Sequence, residues 1–592
     1  MLNWLIKIFF TSSSAPASAV RGAVADEIEP STTSQSTALE FRLKGHEFFD
    51  IEDWSQAAQC YEQCIVMTPG YAADYYNLGY ALWELNQPQQ AKIQLLQAVA
   101  LDKKLDDAYY ILGDISRKQE NIDEAILFFE STLATKPEFE EVLSHLGALY
   151  TQQGSIEKAL DYYQRALSVN PQSENTYSNL LLTLQYQNKL SQSALFEKHK
   201  KFSEIFEAPF SPLADSQYRN VIGNRKLKIA YVSADFRKHS IALFMIPILE
   251  NHDKQKFEIF CYYNHADQDE ITRQIAGLAD QFIPCTEMSD DQLYSRICSD
   301  EIDVLIDLSG HSGGNRLLVF ARKPSPVQIS YLGYIDTTGL NAMDYRLTNI
   351  DADPLGSEVY YSEKLYRFNE HLWWSYRPAA NLPAITDLPA ASNGYITFAS
   401  TNNVAKISVE AIHLWSEILK RTPHAQLVLM GIPSGMARQR ISQIFAESGV
   451  NNSRLTFHDR VTLEQYRSIL LNVDITLDTF PYNGGTTTCE TLSLGLPMVT
   501  LIGSSFVSRM GYALLKDIGL AELAAQNHDE YIRIATELTQ NIDYLASLRK
   551  GMRSRIAKSS LCNESLFTKS LESAYIEMWK NTFHSRIQPT IN

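Results

Sequence analysis

The stretch Asp478-Thr479-Phe480-Pro481-Tyr482-Asn483-Gly484-Gly485-Thr486-Thr487-Thr488-Cys489-Glu490 follows the apolar run Ile475 to Leu477, an order that reads as strand, glycine turn and helix start. Gly484 and Gly485 allow close approach to the backbone. The first amides of a helix, with the hydroxyls of Thr486 and Thr487, suit an anion such as a diphosphate. Glu490, one turn into that helix, is placed to accept hydrogen bonds from a ribose diol. An ordinary turn closed by a threonine cap is the alternative that these residues leave open. Neither a P-loop lysine nor a dinucleotide glycine triplet is present.

A second group, Thr401-Asn402-Asn403-Val404-Ala405-Lys406, follows the apolar run Tyr395 to Ser400 and precedes a helix expected from Ser408 to Arg421. A cation near a helix start opposes the helix dipole. Lys406 is therefore either a plain surface lysine or the partner of a bound anion, and in the second case its charge would stabilise a phosphate leaving group. His239 follows Ile229 to Phe236, and His311 follows Leu305 to Gly310 in a glycine-rich turn that runs on through Gly313 and Gly314. An imidazole just past a strand end could take a proton from an acceptor, with plain surface polarity as the competing reading. Asp351-Ala352-Asp353 has ligands for a divalent ion but lies in a loop beside Pro354, and no histidine and cysteine clustering suggests zinc. Neither a metal nor a cofactor is expected.

The net charge of −17 argues against a nonspecific nucleic-acid surface, though not against a local basic pocket. Seven cysteines, an odd number without zinc-like pairs, point to a reducing compartment. Met1 to Phe10 is apolar but short, is interrupted by Lys7, and lacks a positive start, so it reads as part of a disordered leader over 1–37 rather than as a signal peptide. No segment offers the ~20 apolar residues of a membrane span. The expectation is a soluble cytoplasmic protein.

What must position these residues is legible in the spacing. Gly45, Gly79, Gly113 and Gly147 recur every thirty-four residues, in step with Ala57, Ala91, Ala125 and Ala159 and with Pro69, Pro137 and Pro171. This is the tetratricopeptide period, a helical protein-binding array. Repeats are expected over 38–206, the last of them atypical, followed by a linker over 207–225. Short apolar runs then alternate with amphipathic segments, which is α/β logic. Strands are expected at Leu227 to Ser233, Phe257 to Tyr263, Asp303 to Leu308 and Val327 to Tyr331 in a first lobe over 226–385. A second lobe over 386–592 carries strands at Tyr395 to Ser400, Gln426 to Met430, Leu455 to Phe457, Ile475 to Leu477 and Met498 to Leu501, with closing helices from Asp529 to Thr582. Two such lobes form a cleft at the carboxyl ends of their strands.

The combination resembles the bacterial members of the O-linked N-acetylglucosamine transferase and SPINDLY family. The likeness is carried by Tyr231 to Phe236 with His239, Leu332-Gly333-Tyr334 with Thr337-Thr338-Gly339, Asn402 to Lys406, and Asp478 to Glu490 followed by Gly495 to Thr500. It implies a two-lobed GT-B glycosyltransferase behind a tetratricopeptide solenoid. The implied reaction is inverting transfer of a sugar, expected to be N-acetylglucosamine from its UDP donor, to Ser or Thr of a protein held by the repeats, without an obligatory metal. By this resemblance His239 matches the active-site histidine, Lys406 the lysine on the donor phosphates, Thr486 and Thr487 the pair at the diphosphate beside Gly484 and Gly485, and Glu490 the ribose carboxylate. Asn403 and the backbone near Val461 match nucleotide contacts, Leu332 and Gly333 match the loop around the sugar, and His311 is a secondary catalytic candidate.

The chain also departs from the pattern. Ile335-Asp336 stands where Pro-Gly is common, adding a negative charge near an anionic donor; Asn349 replaces an Asp; Gly485 replaces the histidine of the animal enzymes. GDP-fucose-dependent O-fucosylation and UDP-glucose-dependent Asn glucosylation are the alternative activities, and a repeat scaffold with a lost transferase is the non-enzymatic one. Self-association through the repeats is left open.

Overall fold

The computed structural model describes residues 33–210 and 225–587. Most of the expected leader and linker, residues 1–32 and 211–224, therefore lie outside the described residues. The chain forms two compact units, one holding the repeats and the other holding everything described from Gln172 onward together with Gln153–Ile156.

The repeat unit consists of the helices Thr33–Asp50, Trp54–Met67, Ala72–Glu84, Pro88–Leu101, Asp106–Lys118, Ile122–Thr135, Glu140–Gln152 and Ile156–Val169. The thirty-four-residue period has a direct steric cause. A Cβ added at Gly79, Gly113 or Gly147 would lie 2.6 Å from Leu95, Phe129 or Tyr163, the large residue of the following helix. Bare backbone at the first helix of each pair thus admits a bulky side chain from the second. Ala57, Ala91, Ala125 and Ala159 are all fully buried at the same seams. Between the helices of each pair, Glu52, Asn86 and Glu120 take left-handed φ of 58°, 57° and 63°, so the turn geometry repeats as well.

The other unit opens with the helix pair Glu174–Leu184 and Gln192–Phe206 and continues into two sheets. The first contains β1 (Leu227–Ser233), β2 (Phe257–Tyr263), β3 (Gln281–Pro284), β4 (Val304–Asp307), β5 (Val327–Ser330), β6 (Tyr345–Asn349) and β7 (Lys364–Phe368), ordered β3-β2-β1-β4-β5-β6-β7. The second contains β8 (Thr397–Ser400), β9 (Gln426–Leu429), β10 (Leu455–Phe457), β11 (Ile475–Leu477), β12 (Met498–Leu501) and β13 (Ala524–Ala525), ordered β10-β9-β8-β11-β12-β13. All eleven pairings between neighbouring strands are parallel. Nine of these strands match the expected ones, the edge strand β10 among them; β3, β6, β7 and β13 are additional. β3 and β7 are edge strands with partly exposed residues, so no continuous apolar run announces them.

In each sheet the strand order reverses once, between β1 and β4 and between β8 and β11. Open α/β sheets leave their ligand crevice at the carboxyl end of such a reversal. The loops there are those holding Ser233 to His239, Asp307 to His311, Thr401 to Lys406 and Asp478 to Gly485. The chain closes on the helix Glu564–Ile587, whose Glu572 accepts from the Asp253 amide at 2.8 Å and lies 3.0 Å from Nδ1 of His252, while Tyr575 meets the Tyr231 hydroxyl at 3.3 Å. The last helix is thus fastened to the first lobe. Among the described residues no helix is long and apolar enough to cross a membrane.

Candidate functional site

A cleft of about 170 Å³ is lined by both lobes: Ser240, Ile241, Phe244, Leu332 and Gly333 from the first, and Asn403, Lys406, Gly485, Thr486, Thr487 and Glu490 from the second. The end of the cleft where an anion is expected is built at β11. Asp478 ends that strand buried, and its Oδ1 accepts the amides of Thr479 and Gly484, both at 2.9 Å, while Oδ2 accepts the Thr500 hydroxyl at 2.8 Å. These bonds fold the loop back so that Gly485 caps the helix Thr486–Ser493. The first-turn amides of any helix have no partner within it, and here that turn lines the cleft.

Lys406 reaches the same loop from β8. Its Nζ donates to the Asn483 carbonyl at 2.9 Å and lies 3.8 Å from the centre of the Tyr482 ring, which in turn stacks on Tyr186 at 5.1 Å. The lysine is 7% exposed. Burial pushes its ammonium down from 10.5 to about 7, opposed by the Asp478 carboxylate, which burial itself lifts to about 6. An anion placed beside this ammonium and the first-turn amides would favour its charged form. Asn402 ties the two loops together, donating to Asp478 at 3.0 Å and accepting from Thr487 at 2.7 Å. Asn403 caps the turn before Lys406 by accepting the Ala405 amide.

Glu490 lies on the cleft wall with one oxygen accepting from Arg467 Nε at 2.8 Å and the other from the Tyr376 hydroxyl at 3.0 Å. A carboxylate has about four acceptor positions, so lone pairs remain for a diol. Tyr376, Arg467, Phe244, Trp374, Met430, Arg460 and Tyr466 are site residues that the sequence reading missed. Tyr482 stood inside the quoted motif without a role. For Trp374 and Tyr376 the only local signal was the aromatic run Trp373-Trp374-Ser375-Tyr376 just before the expected boundary.

The glycosyl transferase family 41 model matches residues 194–374 and 386–571, more than half of the chain. The chain belongs to this family. Tetratricopeptide repeat models match 42–102, 76–138 and 140–173. The chain is 34% identical over 409 residues to a probable UDP-N-acetylglucosamine–peptide N-acetylglucosaminyltransferase SPINDLY of Petunia hybrida, which covers 68% of this chain and 44% of that protein. A relative called SEC in Arabidopsis thaliana is 31% identical over 383 residues, 63% of this chain and 39% of that one. The chain thus spans less than half the length of these plant relatives. A solved lysine-to-methionine variant of the Thermobaculum terrenum O-GlcNAc transferase matches with a TM-score of 0.71 at 27% identity, covering 94% of this chain and 99% of that one.

Within the family 41 segments the other expected residues fall in different places. His239 stands one residue before the cleft lining as the cap of the helix Ser240–Asn251, and its Nδ1 accepts the Ile241 amide at 3.1 Å. The neutral ring then carries its proton on Nε2, 3.6 Å from Asp235. Burial, helped by Arg237, holds the imidazole well below its ordinary value. In this arrangement Nδ1 is engaged by the backbone and Nε2 faces Asp235. His311 is fully buried and is not part of the cleft lining: Nε2 donates to the Thr338 carbonyl at 2.8 Å and Nδ1 lies 3.0 Å from Ser178. The reason is the turn after β4, where Asp307 accepts the amides of Ser309 and Gly310 and folds the histidine inward. The Val461 side chain packs on a core cluster, and its neighbours Arg460 and Leu463 line the cleft. Gly484 lies just behind the lining, where an added Cβ would sit 2.8 Å from Asn402 Oδ1. Asp353 is committed to Thr348 and Tyr361, and Asp351 to Lys516. Among the described residues no group of three or more His, Cys, Asp or Glu is placed to hold a metal.

Proposed function

We propose that this family 41 chain is an inverting glycosyltransferase that moves N-acetylglucosamine from its UDP donor to Ser or Thr of a polypeptide, with the repeats as the acceptor-binding part. The observation that carries the reading is the buried Lys406 ammonium one residue away from Gly484, at the open start of the helix Thr486–Ser493. In this reading the diphosphate lies on the amides and hydroxyls of Thr486 and Thr487, and the ribose diol is read by Glu490. Asn403 and the backbone at Val461 face the nucleotide, and Leu332 and Gly333 face the sugar. Attack by the acceptor hydroxyl opposite the diphosphate forms the new glycosidic bond as the bond to the leaving phosphate breaks with inversion; the hydroxyl's proton passes to the departing diphosphate, and the Lys406 ammonium, fully charged once the diphosphate is bound, stabilises the negative charge that grows there. His239, the expected active-site histidine, orients the start of its helix one residue before the cleft lining.

UDP-N-acetylglucosamine is favoured over GDP-fucose and UDP-glucose by the activity that the plant relatives and the T. terrenum enzyme are named for. The test incubates purified protein with each of the three sugar nucleotides and a Ser/Thr-containing peptide, measuring binding and nucleotide release. Binding and turnover with UDP-N-acetylglucosamine are expected. Tight binding of none of the three would leave only a repeat scaffold.

A further inference from the structure

Leu332, on the cleft wall, has φ of +68°, and the Gly333 amide donates across it to the Tyr331 carbonyl at 2.8 Å. This is the tight three-residue turn of the rare, strained hand, which persists only where its surroundings enforce it. Gly333 presses on the end of β4, where a Cβ would lie 1.7 Å from the Leu308 carbonyl oxygen. Two further anchors follow within three residues. The buried Arg346 guanidinium, from β6, donates to the carbonyls of Tyr334 at 3.1 Å and Asp336 at 2.8 Å. The Asp336 carboxylate, expected to face the donor, instead accepts from Gln185 Nε2 at 2.8 Å, and Asp336 is not among the cleft-lining residues.

Gln185 belongs to the end of the helix Glu174–Leu184, and its Nε2 also approaches the Tyr334 hydroxyl at 3.4 Å. Because His199 Nδ1 lies 2.9 Å from the Leu195 carbonyl, that nitrogen carries the proton, and Nε2 accepts the Tyr334 hydroxyl at 2.8 Å. The chain of donors from Gln185 through Tyr334 to His199 is complete and lies in the interior, with Gln185 3%, Tyr334 2% and His199 0% exposed.

We propose that the helix pair Glu174–Leu184 and Gln192–Phe206 clamps the Leu332 turn, with Gln185 and His199 as positioning residues for the transferred sugar. The sugar half of this inference rests on the donor reading above. The Ile335-Asp336 departure from the family pattern then has a physical sense, since an acid at 336 supplies the grip that Gln185 takes.

The test uses the full chain and the variants Gln185→Ala and, as a smaller cut that removes one hydroxyl, Tyr334→Phe. Hydrogen exchange is followed over Leu332 to Thr337, and affinities for UDP and UDP-N-acetylglucosamine are measured beside turnover, with GDP and GDP-fucose if the donor panel selects them. Exchange of the turn is expected to quicken about tenfold, the weight of one hydrogen bond to a charged acceptor, while the sheets stay protected. Nucleotide affinity should hold while sugar-nucleotide affinity and turnover fall by about the same factor. Unchanged exchange in both variants would overturn the clamp whatever the donor is. Quicker exchange with an unchanged ratio of sugar-nucleotide to nucleotide affinity would overturn the positioning role. Wild-type protein that binds no sugar nucleotide overturns the donor reading and with it the sugar half, and exchange still decides the clamp.

Discussion

Lys406 should make donor affinity depend on pH in one direction only. In the free protein burial holds its ammonium at about 7, and the opposing Asp478 does not restore the ordinary 10.5. A bound diphosphate favours the charged form, so the bound lysine titrates well above the free one and binding takes up a proton near neutrality. Affinity is therefore fully present below about pH 7 and lost as pH rises, by about tenfold per unit, until the pKa of the complex is reached. The ligand should be the sugar nucleotide, whose diphosphate is esterified at both ends and stays ionised throughout, whereas free UDP titrates on its own terminal phosphate. Calorimetry from about pH 6 to about pH 9, in two buffers of different ionisation heat, reads affinity and proton uptake together. The Lys406→Met protein should bind with no such slope and turn over at least about a hundredfold more slowly, the usual cost of removing one preorganised charge donor. A flat wild-type affinity with no proton uptake would refute the argument that Lys406 meets the diphosphate. A slope that survives in Lys406→Met would assign it to another group.

Two further outcomes follow from single contacts. Tyr376→Phe removes one of the two hydrogen bonds that fix Glu490 and should weaken nucleotide affinity by about 1 kcal/mol with little change in melting temperature; loss of stability without loss of affinity would make that hydroxyl purely structural. Gly113→Ala places a methyl 2.6 Å from the Phe129 ring, and the crowding should outweigh the better helix propensity of alanine, destabilising the repeats by about 1 kcal/mol in urea unfolding followed by circular dichroism. A more stable Gly113→Ala protein would show that the seam relaxes freely.

The repeats were legible because their packing rule is local and recurs: every glycine meets the bulky residue sixteen positions on, as Gly113 meets Phe129. The strands β1, β2, β4 and β5 were legible as short, mostly apolar and buried runs, whereas β3 and β7, partly exposed at the sheet edges, carry no such run. At the cleft, the segments from Asn402 to Lys406 and from Asp478 to Glu490 could be read because strand, loop and helix start are contiguous. Tyr376 and Arg467 could not, since each meets Glu490 only through the tertiary fold. The two histidines look alike in sequence, both following a strand. What separates them is a helix pair more than a hundred residues upstream of His311, visible in the contact with Ser178 across 133 residues.

The helix that fastens Glu572 and Tyr575 against Tyr231 and His252 imposes an order of events on synthesis. Tyr231 leaves the ribosome 344 residues before the tyrosine it will touch. At about 5–20 residues per second that is roughly 17–70 s during which the first lobe lacks its cover. The repeats, whose helices stack on their neighbours along the chain, are free to fold in that interval. A nascent chain halted before residue 564 would expose the surface that Phe567, Leu571 and Tyr575 bury, a greasy patch that chaperones recognise.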